Sequence, residues 1–196
     1  RVYYPRETFC CPNNNRRIMS ELPEMIYYTG GRRILVNLYT TSTAKVKVPS
    51  GESVTVTQTT NYPRSGRVEI TVDPARPARF AIVLRIPSWA GSAALAVNGE
   101  PAGNAQSGMH TLDREWMAGD KVTIEMPMKV RLVKGRRAQA GRAAVMYGPL
   151  VFGVSRANLT FDRRPEADAA GLQALDLRDI YIDPRTVELL PAAKGE

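Results

Sequence analysis

Two adjacent cysteines followed by a proline, Cys10, Cys11 and Pro12, are the residues of this sequence best suited to chemistry. Adjacent cysteines seldom bond to each other, because the ring that such a disulfide closes departs from normal disulfide geometry. Two neighbouring thiols at a helix start suit a soft metal, which binds sulfur as thiolate. A thiolate is also a nucleophile, so the pair could act as ligand and reagent. Spacing alone leaves a second interpretation open, in which the two thiols are buried and inert.

The segment that must position this pair, residues 1–31, is predicted to form about one helix. Pro12 is tolerated in a first helical turn, and the three asparagines after it can cap a helix. Apolar residues then recur at helical spacing: Ile18, Met19, Leu22, Met25 and Ile26. Pro23 is expected to kink or end the helix. The apolar residues predict that the segment packs on an apolar surface.

From Arg33 onward, apolar and polar residues alternate, which is the period of a half-buried β-strand. Such rows recur at short intervals, at 34–38, 46–48, 54–56, 68–72, 80–86, 95–97 and 122–126. Turn residues separate them, and Asn98-Gly99 is a strong hairpin signal. Because each row has one apolar face, a second sheet must cover that face. The sequence therefore predicts a mainly β chain, an antiparallel β-sandwich preceded by a short helical segment.

The remainder of the chain has a weaker pattern. One more strand is predicted at 145–154, a polar loop at 156–172, a final strand at 175–182 and a loose tail after it. The sequence begins with Arg1 rather than methionine, so we expect it to be a piece of a longer chain. Any targeting signal would then lie upstream, which leaves the compartment open.

Composition excludes several classes of protein. The 196 residues are 43% hydrophobic and 23% charged, which is the range of globular domains. Two cysteines and one histidine exclude a disulfide scaffold, a four-cysteine zinc module and a histidine-rich metal site within this chain. The longest apolar run is far shorter than the roughly 18 residues of a membrane span, so no membrane partner is predicted. The net charge of +8 favours anionic partners.

Nucleic acid is nevertheless not predicted as a partner. The basic stretch has no acidic residue in it and consists of Lys129, Arg131, Lys134, Arg136, Arg137 and Arg142. Nucleic-acid binding would interleave stacking aromatics with these charges, and none is interleaved. A solvated strand edge and hairpin is the favoured interpretation. Trp89 and Trp116 could form a sugar-stacking platform, although packing in the core or against another domain is favoured for both.

Other polar residues have a structural interpretation that outweighs a catalytic one. Glu7 lies near the cysteines and could approach the same metal, but a solvated or loop-bonding carboxylate is favoured. His110 is expected to be a surface or hydrogen-bonded histidine. Asp113, Glu115 and Asp120 are expected to serve turn hydrogen bonding and solvation rather than acid–base catalysis.

An ordered set of short motifs resembles the non-reducing-end β-L-arabinofuranosidases, glycoside hydrolase family 127. The motifs cover most of residues 7–182 in order: ETFCCP at 7–12, IYY at 26–28, VNLY at 36–39, YP at 62–63, LRIPSWA at 84–90, VNGE at 97–100, DREW at 113–116, AGD at 118–120, MPM at 126–128, YGPLV at 147–151 and LRD at 177–179. The stretch NNNRR at 13–17 departs from the usual apolar start of that helix.

This resemblance implies a fold, a site and a division of the chain. Members of the family carry an (α/α)6-barrel catalytic domain followed by β-sandwich domains, and the paired cysteines lie at the end of the barrel. Residues 1–31 would therefore be the end of the barrel, residues 32–155 a β-sandwich domain, and residues 156–196 a loop and the start of a further β segment. The missing helical barrel would be a partner of this chain.

The resemblance also implies a mechanism. Cys10 would be the nucleophile and a zinc ligand, and Cys11 a second zinc ligand, while a glutamate and a cysteine earlier in the barrel would complete the zinc site. The acid/base glutamate would likewise lie in the barrel, and the substrate would be an arabinose-containing glycan or a related sugar. The implied function is that of a C-terminal fragment of a zinc-dependent retaining glycosidase. The alternative is a non-catalytic β-sandwich module that binds carbohydrate or another protein.

Overall fold

The computed structural model describes residues 10–48 and 51–152, and the alternating rows within them form thirteen strands. In chain order these are β1 Tyr27–Gly30, β2 Arg33–Val36, β3 Ser42–Lys47, β4 Ser53–Thr60, β5 Arg67–Pro74, β6 Ala78–Ile86, β7 Ser92–Val97, β8 Glu100–Gln106, β9 Gly108–Trp116, β10 Asp120–Glu125, β11 Val130–Lys134, β12 Ala143–Tyr147 and β13 Leu150–Phe152. One α-helix, α1, spans Cys10–Glu21 and precedes them. The described residues contain no helix of a length and apolarity that would cross a membrane.

The chain divides into two compact units, Arg1–Lys129 and Val130–Glu196. In the described part of the first unit, one sheet has the strand order β1-β2-β6-β9 and the other β3-β4-β5-β10-β7-β8. The two sheets share one hydrophobic core, since the inward residues of both belong to a single cluster. This is the predicted β-sandwich, with its four-stranded and six-stranded sheets packed on each other.

Strict alternation of residue types explains why these strands pack as two layers. Along β5, Val68, Ile70 and Val72 are fully buried, whereas the residues between them are partly exposed. The predicted apolar row of β6, at Phe80, Ile82, Leu84 and Ile86, is also buried. Burying one such side chain stabilises the fold by about 1.5–3 kcal/mol. The Asn98-Gly99 turn is confirmed, because both residues have the positive φ of a type I′ hairpin, 54° and 84°.

One strand pair departs from the antiparallel prediction. β2 runs parallel to β6, with Ile34 opposite Ile82 and Val36 opposite Leu84, while the other described pairs are antiparallel. Between β2 and β6 the chain leaves the four-stranded sheet, forms β3, β4 and β5 in the other sheet, and returns. Parallel neighbours need such a long crossover. Here the crossover consists of strands rather than a helix.

The helical segment is shorter than predicted. α1 ends at Glu21, and a 3₁₀ turn, Leu22–Met25, follows it and contains Pro23. Proline removes one helical hydrogen bond and clashes with the preceding turn, which explains this end point. The predicted end of the helix near Pro23 is confirmed, whereas residues 27–30, which belong to the predicted helical segment, form β1. The prediction that the helix packs on an apolar surface is not met within the described residues, where Ile18 and Met19 are exposed.

In the second unit, the described residues 130–152 form the three-stranded sheet β11-β12-β13. The predicted single strand at 145–154 is wrong, since β12 ends at Tyr147 and β13 begins at Leu150. Gly148 turns the chain between them with a φ of 53°, a conformation that favours glycine. The predicted strand at 175–182 lies outside the described residues.

Candidate functional site

The cysteine pair occupies the first turn of α1, as predicted. The helix begins at Cys10, whose side chain is exposed, and Cys11 is the second residue of the helix. Glu7 lies outside the described residues. A 12-residue helix is about 18 Å long, so Cys10 lies about that distance along the helix axis from the 3₁₀ turn. Whatever fixes the end of α1 therefore determines where the cysteines lie relative to the sandwich.

The segment that joins α1 to β1 is attached to the sandwich by hydrogen bonds of Asn37 and Leu38. The backbone N–H groups of Asn37 and Leu38 donate to the carbonyl oxygen of Ile26, at 2.9 Å and 3.3 Å. The Asn37 side-chain Nδ2 donates to the carbonyl oxygen of Met25 at 3.0 Å. These bonds satisfy the backbone carbonyls of Met25 and Ile26, which follow the end of the helix. The segment between the helix and β1 is thus fixed to the loop after β2.

A fully buried glutamine continues this attachment into the core. Gln58 is 0% exposed, and its Nε2 donates to the Tyr27 hydroxyl at 3.0 Å and to the Leu38 carbonyl at 3.1 Å. The Tyr27 hydroxyl also lies 3.0 Å from the Ser42 hydroxyl. Gln58 follows Val54 and Val56 on the inward face of β4. A buried polar group is costly unless it is hydrogen-bonded, so these bonds offset the burial of the Gln58 amide nitrogen, while Oε1 has no hydrogen-bond partner among the described residues.

The sequence contained a signal for this attachment that the motif analysis missed. An alternating strand that reads Val54, Val56 and then Gln58 places a polar residue at a core position. Such a residue predicts a buried hydrogen-bonded link to another element. The identity of that element depends on packing, because Tyr27 lies 31 residues away in the chain.

Three aromatic side chains meet near the same end of the sandwich. Tyr62 stacks on Trp89, with ring centroids 6.4 Å apart, and makes an edge contact with Tyr39 at 6.0 Å. The Tyr39 hydroxyl donates to the Arg85 carbonyl at 3.0 Å, and Arg85 Nε donates to the Asn37 carbonyl at 2.7 Å. Burial raises the pKa of Tyr39 and of Tyr62 above the ordinary value, so both phenols are neutral at physiological pH. This cluster ties Arg85 and Asn37 to the core.

The two tryptophans differ in environment. Trp116 is 0% exposed, stacks obliquely on Phe80 and donates from Nε1 to the Phe80 carbonyl at 2.9 Å. Trp116 is therefore a core residue. Trp89 is partly exposed and packs at the margin of the core. Its stacking on Tyr62 occupies part of the ring surface that a sugar would use.

Asp120 forms a buried turn network, as the sequence indicated. Its carboxylate accepts hydrogen bonds from Met117 N at 2.9 Å and Asn98 Nδ2 at 2.8 Å, and Arg114 lies 3.9 Å away. Burial acts to raise the pKa of Asp120, but these hydrogen bonds and the Arg114 charge outweigh it, so the net pKa lies below the ordinary value. The Asn98-Gly99 turn and the turn before β10 are joined through this carboxylate.

The other polar candidates do not converge on the cysteines. His110 is partly exposed in β9, opposite Leu84. Asp113 and Glu115 are exposed on the same strand, and Asp113 forms a surface ion pair with Arg79 at 3.3 Å. The described residues contain no group of three or more histidine, cysteine, aspartate or glutamate side chains that could hold a metal ion.

The basic stretch lies mostly in the second unit. Lys134 is exposed at the end of β11, and Arg136, Arg137 and Arg142 lie in the connection between β11 and β12. Arg131 Nη2 donates to the Gly148 carbonyl at 3.2 Å. Within the described part of the chain, β11 is at the edge of its sheet. Basic side chains on an edge strand discourage pairing between sheets of different molecules.

Comparison with known proteins gives concordant results. The family model of the GH127 middle domain of β-L-arabinofuranosidases matches residues 33–128. A non-reducing end β-L-arabinofuranosidase from Bifidobacterium longum subsp. longum is 37% identical over 155 residues, which is 73% of this chain and 23% of that protein. The chain therefore spans about a quarter of the length of this relative.

Solved structures agree with the sequence comparison. A GH127 β-L-arabinofuranosidase from Geobacillus stearothermophilus T6 is 35% identical and superposes with a TM-score of 0.67, over 72% of this chain and 23% of that one. A GH127 β-arabinofuranosidase at 29% identity has a TM-score of 0.66, over 72% of this chain and 25% of the other.

The two-layer fold and these similarities define a β-sandwich domain like those of the matched glycoside hydrolases. The chain belongs to the β-L-arabinofuranosidase family GH127, whose middle domain lies at residues 33–128.

Proposed function

We propose that this chain is the C-terminal portion of a retaining glycoside hydrolase that acts on β-linked L-arabinofuranose. The observation that carries the proposal is the 37% identity to a non-reducing end β-L-arabinofuranosidase over 155 residues, of which the chain spans 23%. The helical barrel of the longer enzyme would supply the rest of the catalytic site. In this view the sandwich holds α1, and thereby the cysteine pair, in place against that barrel.

The cysteine pair suits a zinc ion by the chemistry of its donors. Structural and catalytic zinc sites take up to four protein ligands, and thiolate sulfur is among the preferred ones. Cys10 and Cys11 would provide two ligands, because both occupy the first turn of α1. The remaining ligands would come from the barrel. The metal would hold the sulfur as thiolate at neutral pH.

In the proposed reaction, Cys10 sulfur attacks the anomeric carbon of the arabinofuranoside. A carbon–sulfur bond forms as the glycosidic carbon–oxygen bond breaks, and the leaving oxygen takes a proton from the acid/base glutamate of the barrel. Water then attacks the anomeric carbon and gives its proton to the same glutamate, while sulfur departs as thiolate. A retaining glycosidase normally uses two carboxylates in these roles, and here the thiolate would replace one of them.

The cysteine roles are tested in the longer enzyme that contains this segment. Cys10→Ser removes the attacking sulfur, so covalent labelling by a mechanism-based arabinofuranosyl inactivator should disappear. Cys11→Ser should first lower the zinc content, since a neutral hydroxyl is a poorer zinc ligand than a thiolate. Ser20→Ala is the control, because Ser20 is exposed on the same helix and its hydroxyl donates to the Arg17 carbonyl of that helix.

Peptide mass spectrometry locates the adduct, and zinc is quantified in the same samples. An adduct on Cys10 that Cys10→Ser abolishes and Ser20→Ala retains supports the proposal. An adduct on a carboxylate contradicts it. Full zinc content and full activity in both cysteine variants would return the pair to the interpretation of inert thiols.

The 196-residue chain by itself should have no appreciable glycosidase activity. The proposed acid/base glutamate and half of the zinc ligands would lie outside it. Hydrolysis of p-nitrophenyl β-L-arabinofuranoside by the purified chain measures this directly. Turnover comparable to that of the longer enzyme would disprove the dependence on a separate barrel.

A further inference from the structure

A groove of about 590 Å³ lies on the outer side of the four-stranded sheet, at the tip of the β1–β2 hairpin. It is lined by Gly30, Gly31, Arg32, Arg33, Arg79, Phe80, Ala81 and Asp113. The lining thus contains three arginines and one aspartate. The cysteine-bearing helix contributes no residue to this lining, so the groove is a separate feature of the sandwich.

The parallel pairing of β2 with β6 creates the groove. Arg33 is opposite Ala81, and Ala81 is opposite Asp113 on β9, so the three residues form one row across three strands. The Ala81 side chain is only a methyl group, shorter than its neighbours Arg33 and Asp113, which leaves a depression between them. Its exposed fraction is 6% although it faces outward, because longer side chains surround it. Ala81 is thus the floor, and charged side chains form the walls.

Two of the three arginines are held in position. Arg32 Nη2 donates to the Arg79 carbonyl at 2.6 Å, and the Arg32 carbonyl accepts a hydrogen bond from Ala81 N at 2.9 Å. Arg79 Nε lies 3.3 Å from Asp113 Oδ1. Arg33 has no ion pair within the described residues. Its guanidinium, and the remaining N–H groups of the other two, are therefore available to a ligand.

We infer that this groove binds the carboxylate of an acidic sugar, a uronate residue of a glycan. Guanidinium is the side-chain group best matched to a carboxylate, because its planar fork donates two parallel hydrogen bonds. Gly30 and Gly31 bring no side chain to the rim, and a Cβ built on either would meet nothing within 4 Å, so a sugar ring has space beside the arginines. The choice of a saccharide as carrier of the charge rests on the proposed function.

The groove volume agrees with that size of ligand. Small-molecule sites commonly enclose about 300–1,000 Å³. A single uronate with part of a neighbouring sugar fits this range. A neutral sugar would leave Arg33 without a charge partner among the described residues and should bind more weakly. The site would give the domain a preference for glycans that carry acidic residues.

Binding is measured on the 196-residue chain by two-dimensional ¹H–¹⁵N NMR titration with three probes. D-Glucuronate and D-glucose differ at C6, where one has a carboxylate and the other a hydroxymethyl group. Inorganic phosphate tests whether any small anion suffices. We expect saturable shifts of the Gly30, Gly31 and Ala81 amides with glucuronate, at least about tenfold weaker binding of glucose, and weaker binding of phosphate than of glucuronate.

Arg33→Gln removes the unpaired guanidinium and should weaken glucuronate binding about tenfold. Arg76→Gln is the matched control, because it makes the same change of charge at an exposed arginine outside the groove, where Arg76 pairs with Glu52. Equal weakening by both variants would show a diffuse charge effect and overturn the inference. So would equal binding of glucose, tighter binding of phosphate, or an absence of saturable shifts.

This experiment and the test of the proposed function have separate outcomes. The titration needs no hydrolysis, and the cysteine variants leave the groove unchanged. Glucuronate binding together with a failed cysteine test would remove the proposed mechanism and keep the site. A catalytic cysteine together with failed titrations would remove the site and keep the mechanism.

Discussion

The sandwich and the helix in front of it are folded from the same chain but stabilised very differently. The sandwich has a shared core in which residues such as Ile82 and Trp116 are completely buried. α1 has exposed side chains at Cys10 and from Pro12 to Glu21, including Ile18 and Met19. The two sheets of the sandwich therefore bury each other's apolar faces. After the C-terminal end of the helix, hydrogen bonds of Asn37 and Leu38 fix the chain to the sandwich.

The buried core that stabilises the fold and the cysteines proposed for catalysis thus lie in different elements, the sandwich and α1. An isolated helix of 12 residues is marginal in water, so α1 depends on its surroundings more than on its own sequence. The cysteines thus lie on a helix that would have little stability without contacts to other parts of the protein. The following predictions test that contrast, from the largest expected effect to the smallest.

Leu84→Ala should lower the free energy of unfolding by about 2–5 kcal/mol, because Leu84 is fully buried and its truncation leaves a cavity. Met19→Ala on α1 should change it by less than about 0.5 kcal/mol, since Met19 is 65% exposed. Urea unfolding followed by tryptophan fluorescence compares the two. Similar losses in both variants would mean that α1 unfolds as part of the sandwich.

Gly66→Ala should cost about 1–3 kcal/mol, because a Cβ at Gly66 would overlap the backbone carbonyl of Met126. Gly30→Ala is the matched control in the β1–β2 hairpin, where an added Cβ meets nothing within 4 Å. We expect it to be neutral within about 0.5 kcal/mol. Thermal melts of both variants decide this. An unchanged melt for Gly66→Ala would show that the Gly66–Met126 contact is looser than described.

Asp120→Asn should lower stability at pH 7 by about 1–2 kcal/mol, through weaker hydrogen bonds from Met117 and Asn98. The folded pKa of Asp120 is lowered, so its contribution is present above the unfolded pKa near 3.9 and is lost as pH falls through the folded pKa. The difference between wild type and variant should therefore shrink below about pH 4. Chemical unfolding at pH 7 and pH 3 measures it, and a constant difference would contradict the assignment.

Asn37→Ala should cost the sandwich only about 1 kcal/mol but loosen the junction with α1, because it removes the bond to the Met25 carbonyl. Faster hydrogen exchange is expected at the Asn37 and Leu38 amides, while β5 amides keep their protection. Asn104→Ala, at an exposed position of β8, is the control. An equal increase in hydrogen exchange at the β5 amides would show that the junction does not open independently of the sandwich.

The sequence predicts where the strands lie better than it predicts which strands pair with each other. Alternation at Val68, Ile70 and Val72 identifies a half-buried strand regardless of what pairs with it. The same alternation is compatible with parallel and antiparallel neighbours, so the β2–β6 pairing could not be predicted locally. β8 has Ala105 as its one buried residue, and only the hairpin signal before it predicts a strand there.

The two candidate sites also differ in whether the sequence alone could predict them. The cysteine pair is adjacent in sequence, so its position at a helix start could be predicted from local signals. The arginine groove could not, because Arg33 and Arg79 are far apart in the sequence and meet only through the parallel pair. Trp89 and Trp116 carry similar local signals at strand ends, yet one is partly exposed and the other buried, which packing alone decides.

The parallel pair of β2 and β6 also has a consequence for the order of folding. Ile34 and Ile82 are 48 residues apart, whereas the hairpins within the six-stranded sheet join neighbours in the sequence. Contacts between residues distant in sequence form slowly, because closing the long loop between them costs entropy before the stabilising contacts are made. We therefore expect β1 and β2 to join a sandwich that is already largely assembled. During synthesis, the segment that carries the cysteines would reach its final place only after the chain has been made as far as β6.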